Sequence, residues 1–599
     1  MRGLAPTFVE PRPVTGLAPT RDKIAERALA PFAPNHFLAC SRLRPVRAMS
    51  EHPMSYGFSQ VPTPINDPIR AYLPGSEERA SIKTELERQA SASVEVPMYI
   101  GGARVTTGDL HDIVMPHDHQ HVLGRWHAGT ADHARQAVEA AEAAKDDWAN
   151  LPWEDRAAIF LKAAHLLKHT HRDRFNAATM LNQSKVLFQA EIDAACELVD
   201  FWNFNVHYMA RIYSEQPPVS PEGQWNRLEH RPLDGFVFAV SPFNFTSIAA
   251  NIPTAPALMG NTVVWKPAPT AMLGAYYIME LLEEAGLPKG VINMVAGPPA
   301  EIGDAVLNDP RLAGIHFTGS TATFEHLWQQ VATRLPSYRS YPRLVGETGG
   351  KDFVFAHPSA DPTTVATALA RGAFEYQGQK CSAASRAYIP RSMWPTVRAQ
   401  LEEHLKTIKV GDVRDFQNLM GAVIDARAYA KHVEAIGQAK GMIGDAIEEV
   451  LGGGHDDSKG WFVQPTVIVA NDAQAPTMTT ELFGPILTVH PYEDADFEAT
   501  LELCDKTGPY ALTGCIMARD RGAVATAVER LRFSAGNFYV NDKPTGAVVG
   551  QQPFGGSRKS GTNDKAGAIL NLLRWVSPRT IKETFEPPTT VPYPYMSEP

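Results

Sequence analysis

Gly235-Phe236-Val237-Phe238-Ala239-Val240 is an apolar run opened by glycine, too short for a helix and made of the β-branched and aromatic residues that strands favour. Similar short runs follow at 262–265, 291–295 and 314–317, each separated from the last by a stretch with helical spacing. Repeated strand–helix alternation predicts a parallel, doubly wound α/β sheet, because parallel neighbours need crossovers and the crossover helices cover the faces. The ligand crevice of such a sheet lies beyond the carboxyl ends of its strands. No G-x-G-x-x-G marks that crevice here.

On the amino side, residues 131–211 carry Ala-rich and Leu-rich stretches at spacings of three and four, which predicts three or four helices with Pro152 between two of them. On the carboxyl side, 351–537 repeats the alternation, with strands expected at 353–356, 463–469 and 486–490, so a second α/β domain is expected. The tail at 587–599 is too rich in proline for a helix and should run extended along a surface or over a partner subunit.

The 599 residues, at roughly 150 per domain, exceed one compact core. A net charge of −10 provides no general basic field, so nucleic acid is not an expected partner. Five scattered cysteines (Cys40, Cys196, Cys381, Cys504, Cys515) form neither a disulfide framework nor a C-x-x-C pair, which fits a reducing compartment. No apolar stretch is long enough to span a bilayer. Residues 1–50 hold eight basic side chains against three acidic ones, the pattern of an organellar transit peptide. Mitochondrial import, to the matrix, is the preferred reading; the scarcity of serine weakens a chloroplast one, and an ordinary disordered tail is the alternative.

Two clusters carry chemistry. Cys381 follows a helical run in Glu375-Tyr376-Gln377-Gly378-Gln379-Lys380-Cys381-Ser382-Ala383, where the neighbouring Gly378, Lys380 and Ser382 suggest an open backbone near positive charge that favours a thiolate. A lone cysteine is more often an inert buried thiol. Glu347, in Gly346-Glu347-Thr348-Gly349-Gly350-Lys351, is an acid among glycines at a strand end that can face a cavity with little steric cover. His117, His119 and His121 alternate and would share a strand face, but a solvated or structural role is preferred and no metal is expected. Glu493, Asp494, Asp496 and Glu498 read as a solvated loop or helix start.

The Glu347 and Cys381 segments together resemble the aldehyde dehydrogenase superfamily, in which an E-x-G-G-K base motif precedes a G-Q-x-C nucleophile. Ser241-Pro242-Phe243-Asn244-Phe245 is similar to its oxyanion motif, Trp265-Lys266-Pro267 to its adenosine-ribose contact, Phe317-Thr318-Gly319-Ser320-Thr321 to its pyrophosphate turn, and Glu481-Leu482-Phe483-Gly484-Pro485 to its nicotinamide-ribose segment. The six motifs follow the family's order. Cys381-Ser382-Ala383, the run from Gly536 to Lys543, and Gln551-Gln552-Pro553-Phe554-Gly555-Gly556 resemble the branch that oxidises L-glutamate γ-semialdehyde to L-glutamate in proline catabolism.

The resemblance implies an α/β fold with a Rossmann-like NAD-binding domain (60–216 and 234–345), a catalytic domain (346–574), and an oligomerisation arm and tail (217–233 and 575–599). It implies Cys381 as nucleophile, Asn244 as oxyanion donor and Glu347 as general base. NAD contacts would come from Lys266, Ser320, Glu481 and Phe483, and substrate contacts from Phe245, Ser382, Gly546, Ala547 and Phe554. A homodimer or dimer-based oligomer is implied. NAD over NADP rests on the branch alone, since Pro269 stands where many members carry the acid that favours a free 2′-hydroxyl. Ala547, where some relatives have Ser, removes one hydroxyl donor. Another semialdehyde dehydrogenase, or a non-catalytic binding protein on the same fold, remain alternatives.

Overall fold

A computed structural model of the chain describes residues 57–596. The charge-asymmetric leader at 1–50, Cys40, and positions 597–599 of the tail lie outside the described residues. The run after Gly235 forms the strand Phe236–Val240, the central one of five parallel strands in a seven-stranded sheet. Across that sheet the order is Arg343–Glu347, Leu312–Thr318, Phe236–Val240, Val263–Lys266, Ile292–Met294, Met98–Ile100 and Ala103–Val105. The first five strands are parallel. The last two, which periodicity did not single out, extend one edge antiparallel.

Strand order reverses at Phe236–Val240: the chain proceeds through Val263–Lys266 and Ile292–Met294 on one side, then returns to place Leu312–Thr318 and Arg343–Glu347 on the other. Crossovers therefore diverge at the carboxyl end of the central strand, which opens the crevice expected of this topology. A second seven-stranded sheet runs Ile447–Gly452, Thr466–Ala470, Ile486–Tyr492, Ala384–Pro390, Asp352–Ala356, Thr513–Met517, Asn537–Val540, parallel apart from the first strand. A separate two-stranded ribbon pairs Gln224–Arg231 with Ser577–Thr584 along their whole length.

Four helices bear on the site: α1 (Leu198–Ser214), α2 (Thr246–Leu258), α3 (Thr321–Arg334) and α4 (Pro362–Phe374). Ser320 caps α3 by accepting from the Thr323 N–H, and Asp361 caps α4 through the Thr364 N–H, with Pro362 at a first-turn position that needs no donor. Trp148, Trp202 and Trp265 are fully buried, each withdrawing a large apolar surface from water. Their indole N–H groups also set positions: Trp148 donates to the Ala257 carbonyl and Trp202 to Thr254 Oγ1, both on α2, while Trp265 donates to Ser241 Oγ just beyond the central strand.

Three sequence expectations need correction. The helical region to Ser214 holds more than four segments, because π turns at Leu167–His171 and Glu191–Glu197 and a left-handed Ser184 divide it. The strand expected at 463–469 is two, Phe462–Val463 and Thr466–Ala470, broken at Pro465, which has no N–H for a ladder. The tail is not wholly extended, since Pro594–Met596 makes one 3₁₀ turn. The three histidines bond separate elements: His117 Nδ1 meets Ser184 Oγ, His119 Nε2 the Asp457 carbonyl and His121 Nε2 the Ala90 carbonyl.

Arg172, buried on the helical side, forms ion pairs with Asp67 and Glu191. Glu191 also accepts from the Arg70 N–H, Tyr72 Oη and Asn176 Nδ2, each at 2.8 Å. Replacing Arg172 with Ala leaves Asp67 its second partner, Lys168 at 2.6 Å, but strips the buried Glu191 of its counter-charge, so urea unfolding should show a loss of about 3 kcal/mol.

Candidate active site

The candidate residues gather at one edge of each sheet. Asn244 follows the central strand, Lys266 ends its neighbour, Gly319 and Ser320 follow Leu312–Thr318, and Glu347 ends the edge strand paired with Thr318. The second sheet contributes its amino edge: Lys351 precedes Asp352–Ala356, Cys381 precedes Ala384–Pro390, and Phe483 precedes Ile486–Tyr492.

The chain reaches Cys381 through a tight reversal. After α4, Tyr376 (φ 53°, ψ 40°), Gln377 (φ 54°, ψ 28°) and Gly378 (φ 66°) are all left-handed. Side-chain amides substitute for the missing backbone pairing. Gln377 Nε2 donates to the Ser184 and Ala422 carbonyls at 2.9 and 2.8 Å, its Oε1 accepts from the Gly421 N–H, and Gln379 Oε1 accepts from the Ile424 N–H. Asn244 Nδ2 donates to the Gln379 carbonyl at 3.0 Å, so the oxyanion candidate is bonded to the turn that bears Cys381.

The glycines of the Glu347 segment admit close neighbours rather than leaving the acid uncovered. A β-carbon on Gly349 would lie 2.3 Å from Glu481 Oε2, and one on Gly350 would lie 2.3 Å from the Cys381 carbonyl oxygen. Glu481 Oε1 accepts from the Gly350 N–H at 2.8 Å. Phe483, with φ 61°, sets its ring edge-on to Phe243 at 5.9 Å.

Electrostatics differ from the expectation at Cys381. Lys380 is buried and paired with Glu375 at 3.2 Å, so it does not stabilise a thiolate. Burial, reinforced by the negative charges of Asp352, Glu347 and Glu481, pushes the Cys381 thiol well above its ordinary range. Burial likewise pushes the Glu347 carboxyl up, opposed in part by Lys565, and Glu347 Oε2 has no hydrogen-bond partner among the described residues. A carboxylate desolvated in this way is a stronger base than one in water.

Two groups fit a nucleotide. The Lys266 ammonium is buried, held down to about 8 by desolvation alone, and no counter-charge or hydrogen-bond partner for it is found among the described residues. Ser320 is exposed at the start of the α3 dipole, where N–H groups and positive potential favour a phosphate. Of the substrate candidates, Ser382 Oγ bonds Thr545 Oγ1 at 2.7 Å, which ties the loop bearing Gly546 (φ 100°) and Ala547 to the residue after the nucleophile. Phe245 stands edge-on to Tyr376 at 6.5 Å. Phe554 bridges to Ala566, and Gly555 beside it lies against the Glu347 carboxylate.

Sequence reasoning missed Lys185 and Asp193. Their side chains are fully buried and paired at 2.5 Å. Asp193 accepts from the N–H groups of Thr246 and Ser247, capping α2, while the Lys185 ammonium lies 3.9 Å from the Phe245 ring centroid and 4.4 Å from that of Tyr376. Eight residues apart, with Asp193 inside the Glu191–Glu197 π turn, they leave no periodic signal.

A thiol, an amide donor and a displaced carboxyl at the mouth of a doubly wound sheet are the groups that a dehydrogenase working through a covalent cysteine adduct requires. Residues 105–581 match the aldehyde dehydrogenase family, and the chain belongs to that family. It is 49% identical over 546 residues to the mitochondrial delta-1-pyrroline-5-carboxylate dehydrogenase of Dictyostelium discoideum, covering 91% of this chain and 98% of that one. Identity to the human mitochondrial delta-1-pyrroline-5-carboxylate dehydrogenase is 45% over 532 residues, with 89% and 94% covered. The crystal structure of the Mycobacterium tuberculosis delta-pyrroline-5-carboxylate dehydrogenase bound with NAD superposes with a TM-score of 0.87 at 55% identity, covering 91% of this chain and all of the other.

A β-carbon at Gly378 would lie 2.2 Å from the Gly484 carbonyl oxygen. Gly378→Ala should therefore displace the turn and slow iodoacetamide labelling of Cys381 at least about tenfold under native conditions, with labelling restored in urea.

Proposed function

We propose that this protein catalyses the NAD-dependent oxidation of L-glutamate γ-semialdehyde, the open form of 1-pyrroline-5-carboxylate, to L-glutamate in proline catabolism. The observation that carries the reading is the bond from Asn244 to the turn that bears Cys381, with Glu347 close enough to act on the Cys381 thiol, and the Ser382 to Thr545 bond bringing a backbone loop suited to a carboxylate alongside. Names of relatives spanning nearly the whole chain support the substrate.

In this mechanism Cys381 gives its thiol proton to an ionised Glu347, which passes it on to solvent, and Sγ attacks the aldehyde carbon to form a thiohemiacetal, whose oxyanion is met by the second N–H of Asn244 Nδ2 and the Cys381 backbone N–H. NAD, held by Lys266, Ser320, Glu481 and Phe483, supplies the hydride acceptor when bound. Oxidation leaves a thioester on Cys381. Glu347 takes a proton from water, the hydroxide adds to the thioester carbonyl, and the carbon–sulfur bond breaks to release the acid and the thiol. With water consumed and the new carboxyl ionised, the products are L-glutamate, NADH and two protons. Phe245 and Phe554 flank the aliphatic stem, while Ser382 and the amides of Gly546 and Ala547 hold the amino acid's carboxylate.

The chain is read as an NAD-binding domain (60–216 and 234–345), a catalytic domain (346–574) and an arm (217–233 and 575–599), assembled as a homodimer or dimer-based oligomer. The exposed ribbon of Gln224–Arg231 and Ser577–Thr584 supports the arm. Among the described residues no helix is long and apolar enough to cross a membrane. The relatives named mitochondrial support that organelle, and the matrix is the compartment proposed.

NADH production from pyrroline-5-carboxylate, compared with a dicarboxylic semialdehyde, tests the substrate; equal turnover of both defeats it. Glu347→Gln should retain a near-stoichiometric NADH burst while steady-state kcat falls at least about 100-fold, and Cys381→Ala should show neither burst nor turnover.

A further inference from the structure

Residues 57–75 precede the part of the chain that matches the family, yet they are fastened to it by buried charge. Within this strap Asn66 contacts two parts of the protein at once. Its Nδ2 donates to Asp200 Oδ2 on α1 at 2.8 Å and to the Val549 carbonyl at 2.7 Å, and its Oδ1 accepts from Gln551 Nε2 at 2.9 Å. Two acceptors on the nitrogen and one donor on the oxygen fix the amide's orientation. Asp200 is itself oriented, since its Oδ1 accepts from the Asp67 N–H at 2.8 Å.

Val549 and Gln551 belong to the loop that carries Gly546 and Ala547. That loop is tied to the nucleophile's neighbour at one end, through Thr545 and Ser382. Beyond Ala547, Val549 is buried, and Gly550 (φ 81°) approaches α1 so closely that a β-carbon would lie 2.1 Å from the Phe204 ring. We infer that Asn66 is a positioning residue for the substrate loop: by holding Val549 and Gln551 against α1 it fixes the loop whose Gly546 and Ala547 amides face the substrate carboxylate. This rests on the substrate reading above. Loops held in their binding conformation lose less freedom when a ligand arrives, and the effect falls on substrates that use the loop.

The test compares the semialdehyde with propanal, which has no carboxylate to anchor. Asn66→Ala should lower kcat/KM for the semialdehyde about tenfold, mainly through KM, while kcat/KM for propanal and KM for NAD stay within about twofold. Gln551→Ala, an exposed change that removes one of the same bonds, should act in the same direction by about threefold and carries the test if the first variant does not fold. Equal losses on both aldehydes, or an unchanged ratio in a wild-type background that prefers the semialdehyde, overturn the inference. A wild-type enzyme with no such preference defeats the substrate reading itself.

Discussion

The left-handed turn at Tyr376, Gln377 and Gly378 is the constraint on which the site depends. Conformations of this kind cost about 1–2 kcal/mol for each residue with a side chain, so Tyr376 and Gln377 hold them only because the surroundings over-determine the turn. The Gln377 amide bonds the segments around Ser184 and Ala422, Gln379 bonds Ile424, and Gly484 closes the remaining side. The reversal places Cys381 at the amino edge of the second sheet, facing the carboxyl edge of the first. A straighter path out of α4 would carry the sulfur away from both Asn244 and Glu347.

Among the described residues, two of the buried lysines around the site are paired with carboxylates, while Lys266 and Lys351 are not. Lys185 is paired with Asp193 and Lys380 with Glu375, while the desolvated Lys351 ammonium, drawn down to about 7, donates to Ser385 Oγ. The thiol of Cys381 and the carboxyl of Glu347 are both pushed toward their neutral forms. Ionising either alone adds a charge to a buried space. Moving a proton from the thiol to an ionised Glu347 leaves the net charge unchanged, so desolvation opposes that transfer less than it opposes free ionisation.

The layout was legible where local patterning and tertiary demand agree. The run after Gly235 is buried on both faces and reads as a continuous apolar strand, and Ser320 caps α3 as its position suggested. Cys381, Asn244 and Glu347 were legible as residue types near turns. The sense of the field at Cys381 was not, because the partner of Lys380 is set by how the turn folds back on Glu375. Strands at 98–105 were obscure for another reason: Met98–Ile100 and Ala103–Val105 are three residues each, too short for alternation to register. The Arg172 cluster and Asn66 escaped notice since their partners lie up to 485 residues away.

One buried ion pair joins the two halves of this chemistry. Asp193 caps α2 and so fixes the segment from Asn244 to Ser247 on the first sheet, while the Lys185 ammonium lies over Phe245 from that segment and Tyr376 from the turn before Cys381 on the second. A buried pair is weak evidence for stability, because an apolar pair of equal volume often does as well. An apolar pair, however, cannot accept from the first N–H groups of α2 or attract two ring faces. What the charges contribute here is register between elements of different sheets, and a displacement of even 1 Å between Asn244 and Cys381 would break the alignment that the proposed oxyanion role of Asn244 requires.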